Sequence, residues 1–182
     1  MAKVIIASDI HGRKSRAEAL ALIFQREKPD KIILLGDFLY NGPRNGVPED
    51  YDPMAVINAL SPYKDIIVAV RGNCDAQIDL DLLPFAMPDF QEITINGTLC
   101  HLTHGHLLDE LKGVKKGEAI LYGHTHKLKM ECQSGVLLLN PGSISFPKGE
   151  YPPTYLLWEG DKLEFRDILS DRPVKVGYWK KR

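Results

Sequence analysis

Short apolar runs alternate with helix-like segments through the first 70 residues of the chain. Three of these runs predict buried strands, at residues 4–7, 32–35 and 66–70. Between them lie two segments with the apolar spacing of helices. Ser15 and Glu18 read as a capping box for the first helix, and Asp52 with Pro53 reads as the start of the second. This βαβαβ order predicts a parallel sheet with right-handed crossovers.

The pattern changes in the second half of the chain, where pairs of alternating strands flank tight-turn dipeptides. These dipeptides are Asn96-Gly97, Ser134-Gly135 and Gly160-Asp161. One further buried strand is predicted at 119–123, between the first two hairpins. A parallel α/β half followed by an antiparallel half predicts an α/β fold of two packed sheets with helices outside. We expect one domain over residues 1–182.

Composition narrows the classes of function. The chain has 182 residues, 44% hydrophobic and 26% charged, with a net charge of −1. This balance predicts no long nucleic acid and no acidic membrane surface as partner, and we expect the basic segment 178–182 to be a solvated tail. No apolar run approaches the roughly 18 residues that span a bilayer. Three widely spaced cysteines, Cys74, Cys100 and Cys132, predict reduced thiols and a cytoplasmic location.

Side chains that can bind metals follow five of the predicted strands, at the edge where open α/β sheets place their sites. They are Asp9 and His11, Asp37, Asn73, His104, and His124 with His126. Taken singly, each has a simpler explanation as a helix cap, a turn residue or a structural histidine. Taken together with His106, which follows His104 by two residues, five of the six histidines fall at these strand ends, and His101 alone is expected to be structural.

The chemistry of these side chains narrows the kind of site. Carboxylates, one carboxamide and several imidazoles are too many for a single tetrahedral zinc, and no thiolate typical of a structural zinc site accompanies them. The set fits two divalent ions that share a bridging carboxylate. Ligand type alone is compatible with manganese, iron, nickel or zinc.

Five motifs, in this order, resemble those of the calcineurin-like metallophosphoesterase superfamily: Asp9-x-His11, Gly36-Asp37, Gly72-Asn73, His104 and Gly123-His124-x-His126. The segments "THGH" at 103–106 and "NPGSISFPKG" at 140–149 resemble its small bacterial YfcE-like phosphodiesterase branch. The similarity runs from residue 3 to about residue 149. It implies a four-layer α/β/β/α sandwich of two mixed sheets flanked by helices.

The resemblance also implies a ligand assignment. One ion is expected on Asp9, His11 and His126, and the other on Asn73, His104 and His124. Asp37 is expected to bridge the two ions. The implied activity is hydrolysis of small phosphodiesters by attack of a metal-bridging hydroxide. Manganese is the metal expected first, with zinc, iron, nickel and magnesium as alternatives.

Cys74 departs from the pattern of the family, in which many relatives have a histidine that protonates the leaving group. Three interpretations of the thiol are open. It packs as a small apolar group, it replaces histidine as a weak proton donor, or it acts as a soft metal ligand or redox-sensitive group. His106 is a candidate to replace that histidine as the acid. Alternatively, Asp75 and His106 orient the metal ligands. Arg44 and Asn45 either contact substrate oxygens or solvate their loop.

Other functions of the same fold stay open at this point. One alternative is a phosphomonoesterase or a nuclease on the same site. Another is a non-catalytic protein-binding scaffold, similar to the retromer subunit, in which the ligand set has decayed. Exposed hairpin strands leave a homo-oligomer open as well.

Overall fold

The computed structural model describes residues 1–180. Its strands are β1 Lys3–Ala7, β2 Lys31–Leu34, β3 Ile67–Ala69, β4 Phe90–Ile95, β5 Thr98–Thr103, β6 Ala119–Leu121, β7 Leu128–Gln133, β8 Val136–Pro141, β9 Thr154–Glu159, β10 Lys162–Asp167 and β11 Pro173–Tyr178. Its α-helices are α1 Lys14–Glu27, α2 Pro53–Leu60 and α3 Gln77–Leu82. Short 3₁₀ turns cover Ser61–Tyr63 and Leu108–Glu110.

The strands form two mixed sheets, as the predicted fold class requires. The first sheet has the order β11-β10-β9-β1-β2-β3, and the second has the order β4-β5-β6-β8-β7. Strands β1, β2 and β3 are parallel, as predicted. The division into a parallel half and an antiparallel half is wrong. The chain returns β9 antiparallel to β1, and β6 lies parallel to both β5 and β8.

Strand β1 shows how one sheet serves two cores. Ile5 and Ala7 pack beneath the helices, while Val4 and Ile6 pack between the two sheets. Successive side chains of a strand point to opposite faces, so a parallel strand covered on both sides is apolar at every position. All the α-helical residues found in these cores lie on the helical side of the first sheet.

The helix starts agree with the sequence in one case and not in the other. Helix α2 is capped by Asp52, whose Oδ1 accepts a hydrogen bond from the N–H of Ala55 (3.0 Å), as predicted. The predicted capping box at α1 is wrong. That helix begins at Lys14, and the Ser15 hydroxyl donates to the carboxylate of Asp50 in a distant loop.

The remaining expectations concern the termini and the thiols. Trp179 is half-buried and its Nε1 donates to Thr98 Oγ1 (3.1 Å), so the C-terminal segment is not simply a solvated tail. Lys181 and Arg182, the end of that predicted tail, lie outside the described residues.

All three cysteines are free thiols. No helix within residues 1–180 combines the length and apolar character that crossing a bilayer requires.

Candidate metal centre

The loops that follow β1, β2, β3, β5 and β6 meet at one place and bring the predicted ligands together. The N–H of Asp9 donates to Gly36 O (3.1 Å), and the N–H of Gly123 donates to His104 O (2.8 Å), so backbone bonds tie these loops to one another. Ligand atoms within 4.8 Å of one another come from four buried residues: Asp9, His11, Asp37 and His126.

A second group of predicted ligands adjoins the first through Asp37. Asn73 Oδ1 lies 3.1 Å from His104 Nε2 and 2.7 Å from His124 Nδ1. Asp37 Oδ2 lies 3.3 Å from His104 Nε2 and 3.6 Å from His11 Nε2, between the two groups. Asp37 thus lies between the two groups, and the assignment of the ligands to two separate ions stays a prediction.

Asp9 provides the test of whether a cation fits. Its side chain is fully buried, and neither carboxylate oxygen has a hydrogen-bond partner among the described residues. Oδ1 lies 3.3 Å from His126 Nε2 and 3.8 Å from His11 Nε2. A buried carboxylate without partners costs several kcal/mol unless a positive charge compensates it. The oxygen and imidazole donors around it are those that divalent transition ions bind.

Three histidines present the same ring nitrogen to the centre. Their Nδ1 atoms donate to backbone carbonyls: His11 to Tyr40 O (2.9 Å), His104 to Leu35 O (2.5 Å) and His126 to Phe146 O (2.7 Å). A carbonyl only accepts hydrogen bonds, so each Nδ1 carries a proton and each neutral ring has its lone pair on Nε2. Such outer contacts commonly orient metal-binding histidines.

The backbone of the centre is unusual for residues that carry side chains. Five of the seven predicted ligands have a positive φ: Asp9 (58°), His11 (52°), Asp37 (57°), His124 (64°) and His126 (59°). The left-handed region is sparsely populated by non-glycine residues and costs on the order of 1–3 kcal/mol each, and such residues concentrate at functional sites. These turns direct the side chains inward as soon as each strand ends.

Two glycines make room for the ligands. A Cβ atom on Gly72 would overlap the backbone nitrogen and carboxylate of Asp37. A Cβ atom on Gly123 would overlap Ser8 Oγ and lie 2.9 Å from Asp9 Oδ2. Any larger residue at either position would therefore displace a predicted metal ligand.

The two carboxylates make the centre attractive to positive charge. Burial favours the neutral imidazole of His104, yet the hydrogen bond with Asp37 and the charge of Asp9 raise its pKa to about 9. For Asp37, burial opposes ionisation, but the hydrogen bond and charge of His104 hold its pKa well below the usual range. Both shifts show that the two buried carboxylates favour a positive charge beside them.

Asp75 accepts hydrogen bonds from three backbone N–H groups. Its Oδ2 accepts from Asp37 (2.9 Å) and Gly72 (2.7 Å), and its Oδ1 accepts from Phe38 (2.7 Å). The side chain is buried, and burial raises its pKa to about 6. Asp75 thus joins the loops that carry Asp37 and Asn73, which favours an orienting role over proton transfer.

Cys74 lies at the edge of the centre. Its N–H donates to Asp37 Oδ1 (2.8 Å), and its half-buried Sγ lies 3.4 Å from Asn73 Nδ2. Burial and, after it, the charge of Asp37 raise the pKa of the thiol to about 12. The packing interpretation gains support from this partial burial, because a buried thiol behaves as a small apolar group.

His106 occupies the exposed side of the second ligand group. Its ring centroid lies 5.5 Å from that of His104 and 6.1 Å from that of His124. Burial and the charge of His104 lower its pKa. The residue is nevertheless exposed, so its ring is accessible beside the ligands, as a group that exchanges protons with a substrate must be.

Arg44 and Asn45 lie on the loop after β2. Asn45 Nδ2 donates to Asn41 O (2.7 Å), which fits the loop interpretation, and Arg44 is exposed. A Cβ atom on Gly42 would lie 3.1 Å from Asn45 Nδ2 and 4.0 Å from His11 Cε1. The loop therefore borders the centre, and a substrate-binding role for these two residues stays a prediction.

The end of β8 and the segment after it support the centre, and the sequence analysis assigned these residues no chemical role. Its buried polar side chains donate to the backbone of two ligand loops: Asn140 Nδ2 to Gly123 O (2.7 Å), Ser143 Oγ to Asp9 O (3.0 Å) and Ser145 Oγ to Ile10 O (2.6 Å). The available signal was a polar run directly after the apolar residues of β8.

The chain belongs to the calcineurin-like phosphoesterase superfamily, whose domain matches residues 2–162. Phosphodiesterase YfcE of Escherichia coli K12 is 37% identical over 177 residues, covering 96% of each chain. The solved structure of E. coli YfcE, a phosphoesterase, superimposes with a TM-score of 0.91 at 34% identity and covers 97% of this chain and 98% of that one. These findings confirm the resemblance to the YfcE-like branch.

A more distant structure shares the fold alone. Vacuolar protein sorting 29 from Cryptosporidium parvum has a TM-score of 0.64 at 18% identity, with coverage of 97% of this chain and 95% of that one. At this identity the likeness carries no statement about function.

Proposed function

We propose that this protein is a phosphodiesterase that uses two divalent metal ions. The observation that carries the proposal is the buried carboxylate of Asp9, which has no hydrogen-bond partner within residues 1–180 and lies in a ligand cluster that Asp37 shares with the neighbouring group. The similarity to phosphodiesterase YfcE over nearly the whole chain supports the same class of reaction.

The residues of the centre divide into those that hold cations and those that hold the ligands in place. We assign one cation to Asp9, His11 and His126, the other to Asn73, His104 and His124, and the bridge to Asp37. Two bound cations supply a water of lowered pKa and neutralise charge on phosphoryl oxygens. Asp75 keeps the bridging loop in place, and His106 is the accessible group for proton transfer at the leaving oxygen.

The finer parts of the proposal follow from chemistry and composition. Manganese is the metal proposed first, and the oxygen and imidazole donors are compatible with it as they are with iron, nickel and zinc. A small phosphodiester is the proposed substrate, since a net charge of −1 provides little attraction for long nucleic acid. Three free thiols fit a reducing compartment such as the cytoplasm. One domain over residues 1–182 and a homo-oligomer stay predictions.

Metal analysis combined with two chromogenic substrates tests the proposal. We expect the purified protein to bind two equivalents of Mn²⁺ and to hydrolyse bis-p-nitrophenyl phosphate. EDTA should abolish the activity and added Mn²⁺ should restore it. We expect slower hydrolysis of p-nitrophenyl phosphate. A monoester carries an extra negative charge and gains most from a cationic histidine, and this chain has Cys74 at the position of that histidine. Absence of bound metal and of metal-stimulated hydrolysis would refute the proposal, and a preference for the monoester would favour a phosphomonoesterase.

A substitution at Cys74 tests how the leaving group is protonated. We expect Cys74→His to accelerate hydrolysis of esters with alkyl leaving groups roughly tenfold, since general-acid catalysis contributes about 10²–10⁴. Esters with p-nitrophenolate, which departs without a proton, should change little. Rates across a series of leaving groups measure the effect, and Cys132→His, an exposed thiol of β7, is the control. A rate that is equally unaffected for every leaving group would show that position 74 has no part in protonation.

A further inference from the structure

An apolar cavity of about 320 Å³ has Cys74 in its lining, and none of the seven predicted ligands belongs to that lining. Its other apolar walls are the side chains of Leu39, Tyr40, Pro53, Met54, Ile57 and Leu82. We call it the Cys74 cavity. Its volume lies at the lower end of the range of small-molecule pockets, roughly 300–1,000 Å³. A single aryl or branched alkyl group is therefore a suitable occupant, whereas a large ligand is not.

Two wall residues connect the Cys74 cavity directly to the candidate metal centre. The backbone carbonyl of Tyr40 accepts the hydrogen bond of His11 Nδ1 (2.9 Å). The N–H of Cys74 donates to Asp37 Oδ1 (2.8 Å), and Cys74 Sγ lies 3.4 Å from the side-chain amide of Asn73. Two residues of the cavity lining are therefore hydrogen-bonded to predicted ligands, which places the cavity beside the candidate metal centre.

The rim of the cavity exposes apolar side chains to water. Tyr40, Met54 and Leu82, which line the cavity, are 45%, 56% and 46% exposed. Apolar side chains that converge around an open pocket are typical of ligand-binding surfaces. An apolar ligand group placed here would remove this surface from water and gain binding free energy in proportion to the area covered.

The charges of the cavity select against an anionic occupant. Asp79, a buried carboxylate that accepts a hydrogen bond from the N–H of Ala76 (2.9 Å), belongs to its lining. None of the lining residues in the described part of the chain is a lysine, arginine or histidine. The phosphoryl group is therefore expected at the metal centre, and the cavity suits a neutral group attached to it.

We propose that the Cys74 cavity binds an apolar ester group of the substrate, which makes the protein selective for phosphodiesters that carry at least one aryl or comparable apolar group. This inference rests on the proposed phosphodiesterase function. It assigns a specificity role to Met54 and Leu82, which lie on the two helices that border the cavity, α2 and α3.

The double variant Met54→Gln/Leu82→Gln tests the inference, because it keeps side-chain size and adds no charge. Both residues are exposed, so the fold should tolerate the changes. The matched control is Leu22→Gln/Leu169→Gln, two side chains that are 64% and 65% exposed and lie outside the cavity lining. Melting temperature and Mn²⁺ content should stay unchanged in both variants. The substrates are bis-p-nitrophenyl phosphate and methyl p-nitrophenyl phosphate, which share one leaving group and differ in the group retained.

We expect kcat/KM for bis-p-nitrophenyl phosphate to fall about tenfold in the cavity variant and to stay unchanged in the control, as the loss of apolar contact in a substrate pocket typically produces. A fall for this substrate alone places the retained group in the cavity, and an equal fall for both substrates places the leaving group there. Either result supports the inference. Unchanged kcat/KM for both substrates overturns it while the phosphodiesterase function stands. If the wild type hydrolyses no phosphodiester with any divalent metal, the proposed function fails and the inference fails with it.

Discussion

Asp37→Asn is expected to reduce bound Mn²⁺ from two equivalents to one or none and to lower kcat for bis-p-nitrophenyl phosphate by roughly 10³ or more. Asp37 Oδ2 lies between His104 and His11, so loss of its charge affects both ligand groups at once. A pair of cations supplies several kcal/mol of transition-state stabilisation, and each 1.4 kcal/mol or so corresponds to a factor of ten in rate. Metal analysis and steady-state kinetics provide the two measurements.

The same substitution at an exposed acid is the control for Asp37→Asn. Asp65 lies in the turn before β3 and is exposed, so Asp65→Asn should bind two equivalents of metal and retain the wild-type rate. Asparagine at position 37 still offers an oxygen to the N–H of Cys74, which is why the fold should survive. Two equivalents of metal and a near-normal kcat in Asp37→Asn would remove the bridging role from this residue.

Asp75→Asn is expected to destabilise the protein by about 2–4 kcal/mol. Both carboxylate oxygens of Asp75 accept hydrogen bonds, from three backbone N–H groups in all, and the asparagine side chain has only one acceptor oxygen. We also expect Mn²⁺ affinity to fall about 10–100-fold, since the loop that carries Asp37 loses its support. Chemical denaturation and a metal titration test the two effects separately.

Asp52→Asn is a suitable comparison for this second substitution. Asp52 caps α2, and asparagine is an equally good cap, so both stability and metal affinity should stay close to those of the wild type. A catalytic Asp75 would behave differently from an orienting one. Its replacement would leave stability and metal affinity intact and would change the dependence of kcat on pH, and that outcome would contradict the positioning role.

Much of the fold was predictable because the signals are local. The apolar runs of β1, β2 and β3 and the Asp52-Pro53 start of α2 lie where the sequence predicted them. The capping box at Ser15 was wrong because its hydroxyl found a stronger partner in Asp50, 35 residues further along the chain. Local pattern does not report such competition between near and distant partners.

The pairing of the strands was harder to predict from the sequence than their positions. The sequence identified the hairpin turn at Ser134-Gly135 correctly, yet it gave no reason to place β6 between β5 and β8. Parallel pairing joins strands that are separated by long connections, and no local turn specifies it. Both sheets are mixed for this reason.

By itself the sequence determined the types of ligand and their order, since each predicted ligand follows a strand that apolar periodicity reveals. Only the tertiary structure decided how these ligands group around Asp37, that the Asp9 carboxylate has no hydrogen-bond partner among the described residues, and that Cys74 lines an apolar cavity. The support from Ser143 to Asp9 spans 134 residues. Such features depend on contacts between distant segments, whose geometry is set by packing of the two sheets and not by the residues on either side.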